Sequence, residues 1–120
     1  MRRVVVTGVG VLSSIGNTVE QFEESLRAGR SGIGPITHVD TSRLRFHNAA
    51  EIRGLDPTEH FSGITWLDCF AQLGIVAARD AIVDSALTWN DALRARTGVV
   101  TGSCLGGMGT EDSFYFGFLS

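Results

Sequence analysis

An α/β fold with a largely parallel sheet is the architecture this sequence predicts, and three observations carry that reading. Residues 3–9, RVVVTGV, and 97–103, TGVVTGS, are short β-branched runs with little polar interruption, as expected of strands buried on both faces. Between them lie two helical patterns of different character. The stretch 17–29 has a single apolar stripe, whereas 65–87 is apolar over most of its circumference. The order β, α, irregular excursion, α, β belongs to crossover connections rather than hairpins.

Each element can be justified in turn. After the first run comes the glycine- and serine-rich loop GVGVLSSIGN. In the first helix Thr18 and Gln21 have capping-box spacing, and Val19, Phe22 and Leu26 form the apolar stripe. Glu20, Glu23 and Glu24 lie toward the positive end of its dipole and Arg27 toward the negative end, while Gly29 is placed to end it in the left-handed conformation. Residues 30–65 are turn-rich and read as a surface excursion, with room for a short edge strand in HNAAEIRGLDP. In the second helix Asp68, Gln72 and Arg79 share one narrow stripe, and Phe70, Leu73, Val76, Ala77, Ile82 and Val83 cover most of the rest. Such a helix is expected between two layers, with Cys69 as a small buried hydrophobe. Four of the ten aromatic residues fall in the last seven positions, a tail that is expected to be cut in mid-pattern or covered by something else. With so much apolar surface, the isolated segment is expected to be aggregation-prone.

Composition narrows the function. The chain has 120 residues, enough for one compact domain, with 43% apolar and 19% charged residues. A net charge of −3 offers no broad basic field for nucleic acid or an anionic membrane. All ten basic residues are arginine, so an amine nucleophile, a Schiff base or a P-loop lysine cannot come from this chain. Cys69 and Cys104 are too few for a disulfide framework or a zinc site. Neither a signal-peptide core nor an apolar run of about 20 residues is present, and a cytoplasmic protein is expected.

The motifs are sparse. Gly8-x-Gly10 after a strand invites a dinucleotide-binding reading, but Ser13 replaces the last glycine of that fingerprint. Tight backbone approach at a strand end explains the two glycines better. His38, His47 and His60 are scattered without ligand-like spacing, and no carboxylate pair stands out for acid/base work. Neither a metal nor a cofactor is expected. Cys104, on the turn Gly102-Ser103-Cys104-Leu105-Gly106-Gly107, is either a nucleophile served by glycine N–H donors or a small side chain lining a gap. Spacing alone leaves both open.

The stretch RRVVVTGVGVLSSIGNTVEQFEESLRAGRSGIGPIT resembles the opening of elongating β-ketoacyl-[acyl-carrier-protein] synthases of fatty-acid or polyketide type. AAEIRGLDPTEHF, LDCFAQLGIVAARDAIVDSAL and RTGVVTGSCLGGM resemble the segments that follow. The resemblance implies a thiolase-like fold of five αβαβα layers, with residues 1–120 as part of its N-terminal half and the apolar helix in the buried middle layer. It implies a decarboxylative Claisen condensation in which a cysteine holds an acyl thioester and a malonyl group on acyl carrier protein loses carbon dioxide. That cysteine, two histidines and a lysine lie further along in the family, so no catalytic residue is expected in this chain and the segment alone should be inactive. Gly102, Ser103, Cys104, Leu105, Gly106 and Gly107 correspond to a wall of the acyl tunnel, with Leu105 where bulk limits chain length. The implied partners are acyl carrier protein bearing an acyl or malonyl thioester and a second ketosynthase-type chain in a homodimer or heterodimer. Two departures stand out. Cys69 occupies a position where the family usually carries arginine, and its usual Asp-Ala-Gly-Leu helix exit is here Asp84-Ser85-Ala86-Leu87. A non-catalytic subunit, resembling a chain-length factor or serving in assembly, is the alternative these leave open.

Overall fold

A computed structural model describes residues 3–61 and 67–119. Its elements are α1 (Val19–Arg27), β1 (Gly34–Pro35), β2 (Asn48–Ala49), α2 (Pro57–His60), α3 (Cys69–Asp84), α4 (Asp91–Arg94) and α5 (Met108–Leu119).

Helix α1 is specified by its own residues. The Thr18 hydroxyl accepts from the N–H of Gln21 at 3.3 Å, while the Gln21 side chain reaches back to the N–H of Asn17 at 3.0 Å. At the other end Gly29 takes φ +62°, and the N–H groups of Gly29 and Arg30 donate to the carbonyls of Leu26 and Ser25. That pair of bonds is the Schellman closure, which a residue other than glycine would strain. The inward face differs from the expected stripe in one respect: Ser25 is buried, whereas Leu26 is exposed.

The excursion contains a two-residue antiparallel ladder, Gly34 opposite Ala49 and Pro35 opposite Asn48, so the edge strand predicted in 47–57 forms as β2. Glu51 gathers this region by accepting from the N–H and hydroxyl of Thr37 and from the N–H of His38. The Thr37 N–H above all holds its carboxyl below the usual glutamate range. Asn17 Nδ2 donates to the Arg53 carbonyl at 2.7 Å, tying the excursion to the start of α1.

Gly8 and Gly10 lie directly on α3. A Cβ at Gly8 would stand 2.1 Å from the Ala81 carbonyl oxygen, and one at Gly10 1.9 Å from that of Ala77. The close-approach reading of this glycine pair is therefore correct. The Val9 N–H donates to Asp84 Oδ2 at 2.8 Å and completes the docking.

Three expectations are corrected. The runs 3–9 and 97–103 form no strand among the described residues, and Val4, Val6, Val99 and Val100 are each more than 80% exposed. A strand exists only through its ladder. The apolar helix is also less covered than expected. Val76 is the buried residue of α3, while Ile82 and Val83 stay exposed. Cys69 is the first residue of α3 and is exposed rather than buried.

Among the described residues these surfaces are left largely uncovered. Its radius of gyration is 17.8 Å, against about 14 Å for a compact domain of this length. It exposes 10310 Å², where a compact monomer of this mass shows roughly 6300 Å².

Candidate functional site

Residues 102–107 form an exposed turn between the second valine run and α5. The bend depends on Gly107, whose φ of +94° is strained for any residue with a Cβ. Inside the turn, Ser103 Oγ accepts a 2.8 Å hydrogen bond from the N–H of Gly106. From outside it is met by α3. A Cβ on Gly106 would lie 2.7 Å from Cδ2 and Cε2 of the Phe70 ring, and one on Gly107 3.9 Å from Cε1.

Helix α5 starts directly from this turn, with the Glu111 N–H donating to the Gly107 carbonyl at 2.9 Å. Asp68 serves both neighbouring helices. As N-cap of α3 its Oδ1 accepts from the Phe70 N–H at 3.2 Å, and its Oδ2 accepts from the Thr110 hydroxyl at 2.6 Å and the Thr110 N–H at 3.3 Å. The Thr110 hydroxyl first, then the Phe70 N–H, holds the Asp68 carboxyl below the usual aspartate range. An open cleft of about 570 Å³ separates the two helix starts, lined by Leu67, Asp68, Cys69, Thr110, Ser113 and Phe114.

The polar stripe of α3 is spent on such joints. Gln72 Nε2 donates to the Leu67 carbonyl, and Arg79 donates to the His60 carbonyl while its guanidinium lies 5.2 Å from the centre of the buried Phe61 ring.

The six residues singled out in the sequence therefore have different surroundings. Gly106 and Gly107 rest on Phe70, Ser103 closes the turn, and Gly102 has open space where a Cβ would point. Cys104 and Leu105 are exposed, and no hydrogen bond joins Cys104 to a histidine among the described residues. Three of the six residues of the turn, Gly102, Gly106 and Gly107, present backbone without a side chain. Phe70 and the Asp68–Thr110 pair were missed as parts of this site. The cap position of Asp68 is readable from sequence, but its bond to a residue 42 positions away is not.

Residues 1–115 match the family described as "Beta-ketoacyl synthase, N-terminal domain". A 3-oxoacyl-[acyl-carrier-protein] synthase 2 of Coxiella burnetii is 40% identical over 121 residues, covering 99% of this chain and 29% of that protein. The protein of the same name from Vibrio cholerae is 44% identical over 109 residues, covering 89% of this chain and 26% of its own length. A solved structure titled "The ishigamide ketosynthase/chain length factor" superposes with a TM-score of 0.66 at 42% identity, over 72% of this chain and 22% of the other. The chain thus spans between a fifth and a third of the length of these proteins.

Proposed function

The chain belongs to the β-ketoacyl synthase family and has its thiolase-like fold, and from that premise we propose that residues 1–120 are part of the N-terminal half of an elongating ketosynthase. In the complete enzyme a cysteine thiolate outside this chain takes an acyl group as a thioester. The carbon–carbon bond to the malonyl carboxylate on acyl carrier protein then breaks and releases carbon dioxide. The resulting carbanion attacks the thioester carbonyl and expels the thiolate. This chain contributes scaffold and substrate surface rather than chemistry, with Gly102, Ser103, Cys104, Leu105, Gly106 and Gly107 as a wall of the acyl channel. Acyl carrier protein and a second ketosynthase-type chain are its partners. Among the described residues no helix is long and apolar enough to cross a membrane.

The observation that carries the reading is the identity of 40% or more to named synthases across 89–99% of the chain. The test is a Leu105→Phe substitution in the complete enzyme. It is expected to disfavour long acyl substrates, by roughly 1–3 kcal/mol of transition-state binding for each excluded methylene-sized step. Peptide mapping after loading with a labelled acyl thioester is expected to leave the Cys104 peptide unlabelled. Label on that peptide would make Cys104 a nucleophile and overturn the wall assignment. The purified 120-residue segment is expected not to decarboxylate malonyl thioester.

A second reading has its own observation. The structural relative is titled both ketosynthase and chain length factor, and a non-catalytic subunit of a heterodimer would use the same wall. A cysteine between small residues downstream of Ser120 supports the enzyme, and a substituted one supports the factor.

A further inference from the structure

We propose that Phe70, backed by the Asp68–Thr110 pair, is a positioning residue that sets how far the turn 102–107 projects and so the acyl length the channel accepts; this rests on the wall assignment above.

The turn has little to hold it from within, since its one internal side-chain bond is that from the Gly106 N–H to Ser103 Oγ. From outside, the Phe70 ring lies against Gly106 so closely that a Cβ there would overlap it at 2.7 Å. Phe70 sits two residues after the α3 N-cap, and Asp68 holds the backbone N–H that carries the ring. The same carboxylate fixes the far end of the turn through Thr110, in the first turn of α5. The turn is thus clamped at its exit and shimmed at its middle by adjoining residues of one helix start. Leu105 immediately precedes the shimmed glycine and is 70% exposed, so its side chain moves with the backbone that the ring supports. A smaller residue at 70 lets the turn settle toward α3 and deepens the channel. A Cβ at 106 pushes the turn the other way.

The experiment uses the complete ketosynthase and saturated acyl-carrier-protein thioesters of increasing length, and reads the ratio of kcat/KM for the longest to that for the shortest. Gly106→Ala is expected to lower this ratio by about tenfold or more, the effect of excluding a methylene-sized step. Adding Phe70→Ala to Gly106→Ala is expected to restore part of it, since the ring atoms at 2.7 Å are then gone while Ser103 Oγ stays in place. Where Gly106→Ala gives no soluble enzyme, Phe70→Leu alone decides, with an expected rise in the ratio. Effects of Gly106→Ala and Phe70→Ala that simply multiply, or a loss of rate equal at every length, would overturn the proposal. Leu105→Phe separates the two levels. If it shifts the ratio while the Phe70 variants do not, the shim alone is wrong; if it shifts nothing, the wall assignment falls and the shim with it.

Discussion

Helices α1 and α5 are of similar length, with 9 and 12 residues, but are held in opposite ways. Every bond that starts and stops α1 comes from residues 17–30, and Glu23 and Arg27 pair along its outer face. Its apolar residues share a face, so the helix is defined before anything covers it. Helix α5 takes its stabilising side-chain bonds at the N-terminus from Asp68, 42 positions earlier, and leaves Phe114, Tyr115 and Phe118 each more than 70% exposed. Its apolar residues point all round, so nothing local tells it which side is inside. One helix is written in its own sequence, and the other is written in its contacts.

Four measurements sharpen or break that contrast. The largest effect is expected at the joint between the two regions. Gly10→Ala would drive a Cβ against the Ala77 carbonyl, which cannot move without bending α3. A loss of ~3 kcal/mol is expected from such overpacking, read as a lower thermal midpoint of the complete enzyme. An unchanged midpoint would mean that the 8–10 segment does not rest on α3. Next comes α1 itself. Thr18→Ala removes a cap worth about 1 kcal/mol, and a peptide spanning 15–31 is expected to lose helical circular dichroism on that change. A peptide spanning 105–119 is expected to show none to lose, and helicity there would erase the contrast.

Ala86→Gly is expected to work in the other direction. Ala86 ends α3 at φ +50°, a conformation that costs a residue with a Cβ roughly 1–2 kcal/mol. Glycine returns part of that gain as chain entropy, leaving a net stabilisation of about 0.5–1 kcal/mol, read in the same thermal midpoint. The smallest effect is expected from acid. Both Glu51 in the first region and Asp68 in the second have carboxyls lowered by hydrogen bonds, from Thr37 and Thr110. Their contributions are present above the ordinary carboxylate range and are lost as pH falls through the lowered values. Carbon-13 titration of the two carboxyls is expected to place both midpoints below those of free carboxylates. An ordinary midpoint for Asp68 would detach α5 from α3.

What was legible in the sequence follows the same division. The two ends of α1, the glycine approach at 8–10 and the edge strand in 47–57 depend on neighbours in sequence or on the special geometry of glycine, and were readable. Helix α4 leaves no mark in the sequence although Asn90 caps it, because four residues give no period to detect. Helix α5 was missed because its aromatic and glycine residues carry no helical stripe. Residue type predicts strands for the valine runs because it reports burial on a pleated surface, but not the partner that makes the ladder. Cys69 follows the same rule: its helix is apolar, which predicts burial, but it stays exposed, with no covering layer among the described residues.

The glycines that touch α3 differ in what they would strike. At Gly8 and Gly10 the obstacle includes main-chain carbonyl oxygen, which every residue carries, so no second mutation at Ala77 or Ala81 could make room. At Gly106 the nearest atoms belong to the side chains of Ser103 and Phe70, and a second mutation can remove them. The first pair is closed to divergence, while the third site can drift together with its neighbour. Descendants of one ancestral gene could therefore come to prefer different acyl lengths by exchanging residues at 70 and 106, with the frame at 8 and 10 left untouched.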